Sequence, residues 1–473
     1  FVFSTSCNSY QDWQAKLLHW SARQIAGQKG KITRIISGCD GYNSSDYNEA
    51  DAVQNHLPGF GDENIKKEQI HRYPVEDDEF YVHFTPTFPK SKEFPWINKP
   101  MGIAHWVRHS SVTESIIVIL GKLYHWKVLL LYMLNANQPR KDPDMLLLQP
   151  TYSKDHPTRW FKHNEVLCST SCKNRHMKTK LQKEEMKRFT DGVNDYVREG
   201  FPVAQTYDLR SKWIENMDVE TVVGKNSRSS RIAPVHVRHF YSIGPPYFMH
   251  INDMRRLIPL WENFMSGCRK ALPKDILADM YAFSLAAIEL DLPHRSFDHY
   301  MISNVKSNVE GWKWIDTLLG NSNDVVSESP LCSKAYRISG GAKNYVSLLH
   351  YAQYYKLDSR SREHRASTKD KDLLWFFHKA YVPPNIFSCE VPLLTPPPED
   401  LIQRQNTTLA KRSSFCICTL IHSLNQAVLA WRKKHCSGSY NSDHRIRLDY
   451  LKNCQGPEAG KSCFPGARLI KDE

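Results

Sequence analysis

The 473-residue chain is 41% hydrophobic and carries 12 Trp, 22 Tyr and 20 Phe, which excludes intrinsic disorder and allows a sizeable buried core. A net charge of +13 and a pI near 9.0 favour anionic partners. The densest basic stretches, residues 173–188 and 360–371, contain acids and almost no aromatics, so they read as solvated faces rather than a nucleic-acid surface, which needs stacking platforms.

Residues 1–6 read as a short strand, followed by an aromatic helix through Tyr10, Trp13, Leu17, Leu18 and Trp20. Residues 32–37 form the next strand, ended by Gly38, and this strand, helix, strand spacing predicts a parallel-type α/β core. The chain begins with Phe1 rather than Met, so the native N-terminus, with any signal or anchor, is expected upstream. Residues 40–80 are polar and turn-rich, a surface excursion. After a rigid turn at residues 94–100, residues 101–108 predict a helix with Ile103 and Trp106 inward.

Residues 115–120, Ser-Ile-Ile-Val-Ile-Leu, are the clearest strand, and their β-branched run indicates burial on both faces. The longer apolar stretch 116–134 contains Gly121, Lys122, His125 and Lys127, which argues against a membrane helix. Residues 151–200 are charged and read as helical, and residues 201–207 and 235–241 as extended. Residues 252–272 and 275–290 have helical periodicity, the second through Ile276, Met280, Phe283, Ala286 and Ile288. Residues 346–349 form a short strand. Beyond Pro396-Pro397-Pro398, a helix over 410–435 is expected to pack on the core through Cys416, Leu420, Leu424 and Val428, and a loose polar tail follows. There is no internal repeat.

The 12 cysteines, spread from Cys7 to Cys463, are too sparse for a disulfide scaffold and fit a large protein of an oxidising compartment. Sequons at Asn43-Ser44-Ser45 and Asn406-Thr407-Thr408 point the same way. Cys168, Cys172 and His176 would share one helix face, where a disulfide or a plain surface role outweighs zinc.

The chemistry centres on Asp142-Pro143-Asp144. On an extended segment the two carboxylates point the same way, because side chains alternate and Pro143 stiffens the stretch. Such a pair can hold a hard divalent ion through oxygen and leave positions for phosphates, although an Asp-x-Asp triplet is more often a turn or a helix cap. Asp279 heads an apolar helix face, where a carboxylate is costly unless paired. It is either a functional acid or half of a structural salt bridge, and Asp298 is a second carboxylate of interest.

The ordered landmarks carry a resemblance. Ser4-Thr5-Ser6-Cys7, Lys31 through Gly38, Ile97-Asn98-Lys99-Pro100, His105-Trp106, Phe201 through Tyr207, Gly244-Pro245-Pro246-Tyr247, Ala278 through Phe283, Leu349-His350-Tyr351, Trp375-Phe376-Phe377 and Phe387-Ser388-Cys389-Glu390 follow one another over residues 1–435. In this order the chain resembles the hydroxyproline O-arabinosyltransferases and peptidyl serine alpha-galactosyltransferases.

The resemblance implies a GT-A-like fold, with a Rossmann-type mixed sheet flanked by helices. A glycosyltransferase domain would span residues 1–395, a C-terminal helical extension 396–436 and a tail 437–473. It implies that Asp142, Asp144 and His350 bind Mn²⁺, although a lone His beside Tyr351 is commonly a packed core residue. Thr5, Arg34, Lys99 and Asp142 would meet the nucleotide sugar. Alternatively, Arg34 caps a strand end and Lys99 belongs to a structural turn. Asp279 and Asp298 would be the catalytic carboxylates, with Asp279 standing where the family usually has Glu.

The implied reaction moves L-arabinofuranose or galactose from a UDP-sugar to hydroxyproline or serine of a secretory-pathway acceptor protein, with retention. The implied location is the Golgi or endoplasmic reticulum lumen, with a type II membrane anchor outside this chain and no nucleic-acid partner. The alternative is a catalytically inactive, lectin-like relative.

One departure stands out. In the family the apolar strand runs directly into Asp-x-Asp, whereas here residues 121–141 intervene. Joining Leu120 to Asp142 restores the expected strand end, and the segment opens with Gly121-Lys122, which a retained splice donor can encode. Residues 121–141 therefore read as a retained intron or an insertion that would disturb the metal site if translated.

Overall fold

The computed structural model describes residues 1–7, 9–38, 79–86, 88, 97–120, 144–148, 197–207, 209, 211–273, 275, 277–298, 300–320, 332, 346–357, 375–398, 401–402, 407–437 and 445–446. In chain order these form β1 (Val2–Ser6), α1 (Ser9–Trp20), β2 (Ile32–Ser37), β3 (Phe80–Thr85), α2 (Asn98–His109) and β4 (Ile116–Ile119). After β5 (Met145–Leu147) and β6 (Val203–Thr206) come β7 (Ile243–His250), α3 (Ile251–Ala271), α4 (Ala278–Glu289), β8 (Arg295–Phe297) and β9 (Met301–Ile302). The chain continues with α5 (Trp312–Gly320), β10 (Leu348–His350), β11 (Tyr355–Leu357), β12 (Trp375–Phe377) and α6 (Thr408–His435).

A seven-stranded mixed sheet runs in the order β3-β2-β1-β4-β7-β6-β8, so the α/β expectation holds. Its first half is parallel: Val2 faces Thr33, Ile32 faces Phe80, and Val2 also faces Ile119. β2 is buried along its whole length, as its Ile-Thr-Arg-Ile-Ile sequence requires of a strand covered on both faces. β7 runs antiparallel to both β4 and β6.

β7 contains Pro245 and Pro246, which cannot donate to a ladder. The β6–β7 register shifts at Ala204/Gln205, so Ala204 faces Tyr247 while Gln205 faces Gly244. The two prolines thus fall opposite the break in pairing. The extended stretch expected at 235–241 is instead helical, a turn at Pro234–His236 continuing into a π-helical turn at Val237–Tyr241. Its apolar–polar alternation imitates a strand, but Pro234 sits at the first helical position, where its missing N–H costs nothing.

A second, three-stranded sheet has the order β5-β10-β9, and β11 and β12 form an antiparallel pair. α1 joins the two halves of the core: Ala15 and Leu18 pack under the large sheet, while Trp13 and Leu17 join β5, β10 and α6. α6 begins at Thr407, whose hydroxyl accepts from Ala410 N at 3.2 Å, a helix cap. The helix is long and apolar enough to cross a membrane, but 72% of its apolar window is buried in the protein, so it serves as a core helix. Disulfides Cys332–Cys418 and Cys389–Cys436 tie it down at two levels. The 121–141 segment, the expected helix at 151–200 up to residue 196, both sequon asparagines, the Cys168/Cys172/His176 group and most of the C-terminal tail lie outside the described residues.

Candidate functional site

The two sheets bring together residues far apart in sequence. β5 and β10 are antiparallel, with Met145 opposite His350, which puts Asp144 at the mouth of β5 beside the last residue of β10. Tyr351 N donates to Asp144 O at 2.9 Å and locks this register. The side chains converge: His350 Nε2 lies 3.0 Å from Asp144 Oδ1, and both residues are fully buried. Lys379, in the turn Lys379–Tyr381 after β12, pairs with Asp144 Oδ2. Tyr355 Oη donates to His350 O at 3.1 Å and Ser303 O at 2.9 Å, fixing the end of β10.

A carboxylate oxygen and an imidazole nitrogen facing one another fit a borderline divalent ion such as Mn²⁺. The ammonium on the second oxygen shows that this carboxylate already draws positive charge. Among the described residues no third His, Cys, Asp or Glu completes the set. Asp142 lies outside them.

The remaining residues expected at the site fall into three separate pairings. Arg34 stands third in β2, not at its end, and is fully buried. Its Nε donates to Thr5 Oγ1 at 3.0 Å and its Nη2 to Asp12 Oδ1 at 2.8 Å, so the guanidinium links β1, β2 and α1. Lys99, in the first turn of α2, donates to Asp279 Oδ2 at 3.1 Å, and Trp261 Nε1 donates to Asp279 O at 2.8 Å. Asp279 therefore stands in the salt bridge that its apolar surroundings demand. Asp298 pairs with Lys313 near the surface.

The structure adds two residues that the sequence reading did not single out, Lys379 and Glu310. Glu310 accepts from Ser303 N, from Asn304 N at 3.0 Å and from Trp312 Nε1 at 3.1 Å. Burial nevertheless pushes its carboxyl up to about 7. Gln205 fastens this loop to β6, accepting from Met301 N at 2.9 Å and donating to Asp298 O at 3.3 Å. Two residues along, burial holds the Tyr207 phenol well above the usual tyrosine range, helped by the charges of Glu310, Tyr247, Asp144 and Asp279. No local motif marks Lys379 or Glu310; for Lys379, nearness to the Trp375-Phe376-Phe377 landmark is the one signal available.

No protein-family model matches the chain. It is similar to the peptidyl serine alpha-galactosyltransferase of Arabidopsis thaliana, 24% identical over 314 residues, which is 64% of this chain and 27% of the relative. The chain thus spans about a quarter of that relative's length, and the similarity bears out the resemblance read from the ordered landmarks. Among solved structures, the WbbM bifunctional glycosyltransferase in its apo form overlays on 74% of this chain and 45% of its own, with 8% identity and a TM-score of 0.30. The galactosyltransferase LgtC, in complex with donor and acceptor sugar analogs, overlays on 74% of this chain and 86% of its own, with 9% identity and a TM-score of 0.29. Both scores are too low to carry an argument.

Proposed function

We propose that this chain is a metal-dependent glycosyltransferase of the GT-A type that moves galactose or L-arabinofuranose from a UDP-sugar to serine or hydroxyproline of secretory-pathway proteins. One observation carries the reading: Asp144 and His350, 206 positions apart, meet at 3.0 Å beside a lysine. A divalent ion held there would supply Lewis-acid stabilisation to the departing diphosphate. Asp144 and His350 would hold it, with Asp142 as the third ligand. Lys379, released from Asp144 when a metal takes the carboxylate, would offer its ammonium to the diphosphate as a second cation. Lys99 would meet the diphosphate as well, while Asp279 accepts a hydrogen bond from a sugar hydroxyl. The sugar's bond to the diphosphate oxygen breaks with its electron pair going to the leaving group, and the acceptor oxygen bonds the same carbon while its proton passes to that departing diphosphate oxygen.

Two disulfides among the described residues support an oxidising compartment such as the Golgi or endoplasmic reticulum lumen. A second reading, a sugar-nucleotide binder without turnover, draws on the pairing of Lys379 with Asp144, because an internal ammonium competes with a metal for that carboxylate. UDP release from UDP-galactose, measured with Mn²⁺ and with chelator, on the full chain and on one lacking residues 121–141, separates the two. Mn²⁺-dependent release by either form supports the transferase. Nucleotide binding without release in both forms supports the binder and removes the transferase reading.

A further inference from the structure

α1 does not stop at Trp20 but continues into a π-helical turn over Ser21–Ile25. Lys16, Trp20 and Gln24 follow one another at a spacing of four and so lie along one face of this run. Ala427, Ala430, Trp431 and Lys434 have the spacing of one face of α6. The two faces line a single cleft of about 790 Å³, within the range of small-ligand sites. α6 presents two alanines to it, and their short side chains leave the room. Phe387 also lines the cleft, and the disulfide Cys389–Cys436 ties its loop to the end of α6, so the walls are held before any ligand arrives.

Trp431 already holds Lys16 Nζ at 3.8 Å and the His435 ring at 3.9 Å from its centroid. Trp20 differs: it lines the cleft half-buried, and no other aromatic ring of the described residues packs on its indole. Among the described lining residues Glu79 is the one carboxylate, with Arg23 Nη2 3.5 Å from it, against the ammonium groups of Lys16, Lys29 and Lys434. Lys29 and Lys434 are exposed. The chain's positive charge is thus concentrated around this cleft, where it favours an anion.

We propose that this cleft binds an acidic oligosaccharide of the uronic-acid type, with one pyranose ring packed against the Trp20 indole. Lys16 and Trp20 are neighbours on one helix face, so a cation and an aromatic ring sit together. That pairing fits a ligand whose carboxylate is carried by the same ring that packs. A pyranose offers apolar C–H surface to the indole, and its hydroxyls suit the Gln24 amide. An acidic peptide fits less well: both walls are helices, whose backbone groups are spent on one another, so an extended peptide finds no ladder to join. The cleft shares no lining residue with the Asp144–His350 centre, and binding there needs no turnover.

The test is calorimetric titration of the full chain, free of divalent metal, with α-1,4-linked tetragalacturonate, with its methyl ester and with tetraglutamate. The wild type binds tetragalacturonate and holds the ester and the peptide at least ~10-fold more weakly. Trp20→Ala weakens tetragalacturonate binding ~10-fold, and Lys29→Glu weakens it ~5-fold. Ala430→Trp, which fills the cleft from an exposed position and keeps the melting temperature, abolishes binding. Lys433→Glu, the same charge change on α6 outside the cleft, stays within ~2-fold of the wild type. A wild type that does not bind tetragalacturonate, tetraglutamate bound as tightly, or an Ala430→Trp variant that binds like the wild type overturns the site. Equal losses in Lys29→Glu and Lys433→Glu overturn it too, because binding then follows net charge alone. The transferase reading, which is tested by UDP release, stands or falls separately.

Discussion

Lys99 Nζ lies 3.1 Å from Asp279 Oδ2, across 180 residues and with both side chains nearly out of solvent. α2 and α4 are thereby joined at their N-terminal ends, with α3 between them contributing Trp261. Lys99 Nζ lies 5.6 Å from the Trp261 ring, while that indole's N–H is spent on Asp279 O. The ion pair is therefore largely out of water, where removing one partner leaves an uncompensated charge.

Breaking it from one side should be costly. Lys99→Met or Asp279→Asn alone is expected to lower unfolding free energy in urea by about 3 kcal/mol, as for other buried pairs. The double variant should recover most of that loss, because the pair's own net contribution is small once desolvation is counted. UDP-galactose turnover should stay low in all three variants. A double variant as unstable as the sum of the singles would show that the pair is not coupled.

Lys379 and a bound cation compete for one carboxylate, so Lys379→Met separates them. Without metal, Asp144 loses its ammonium partner and the melting temperature should fall by ~5 °C or more. Saturating Mn²⁺ should then raise it further than in the wild type, because the cation stabilises only the folded state. Equal Mn²⁺ shifts in both proteins would indicate that the metal does not reach Asp144.

Glu310 sets a pH signature. Its carboxyl titrates at about 7 in the folded chain against an ordinary 4.5, so the folded state holds this proton more tightly than the unfolded one. Its stabilising contribution is full below pH 4.5 and is lost as pH rises through 7. His105 and His294, held down to about 3 chiefly by burial, act with the opposite sign, destabilising the fold as pH falls below 6.5. Comparison with Glu310→Gln cancels the histidines. The stability of the wild type relative to this variant should decline from pH 5 to pH 8, and a flat difference would show that Glu310 is ionised throughout.

The large elements were legible because their burial is written in periodicity. The Ile-Ile-Val-Ile run became β4, the face through Met280, Phe283 and Ala286 became α4, and the spacing of Cys416, Leu420, Leu424 and Val428 became the buried face of α6. Residues 235–241 misled because apolar–polar alternation is shared by a strand and by an irregular, half-exposed helical turn. The strand that does form, β7, contains two prolines and survives only through the register shift opposite them, a tertiary accommodation that no local pattern announces.

Legibility of the site divides in the same way. Asp144 and His350 were singled out through a short motif and an ordered resemblance, and the structure brings their side chains together. Lys379 reaches Asp144 from 235 residues away, and Glu310 gains its character from the loop that encloses it. Both depend on three-dimensional juxtaposition, which a single sequence does not display. For Arg34 the alternatives were a nucleotide contact and a strand-end cap; the structure places Asp12 and Thr5 beside its guanidinium in mid-strand.

The most direct test of the central claim is Mn²⁺ binding followed by electron paramagnetic resonance in the presence of UDP, on the wild type, Asp144→Asn and His350→Ala. If the carboxylate and the imidazole grip one ion, the wild type binds a single Mn²⁺ and each variant weakens it by at least ~10-fold. Unchanged affinity in both variants would contradict the account.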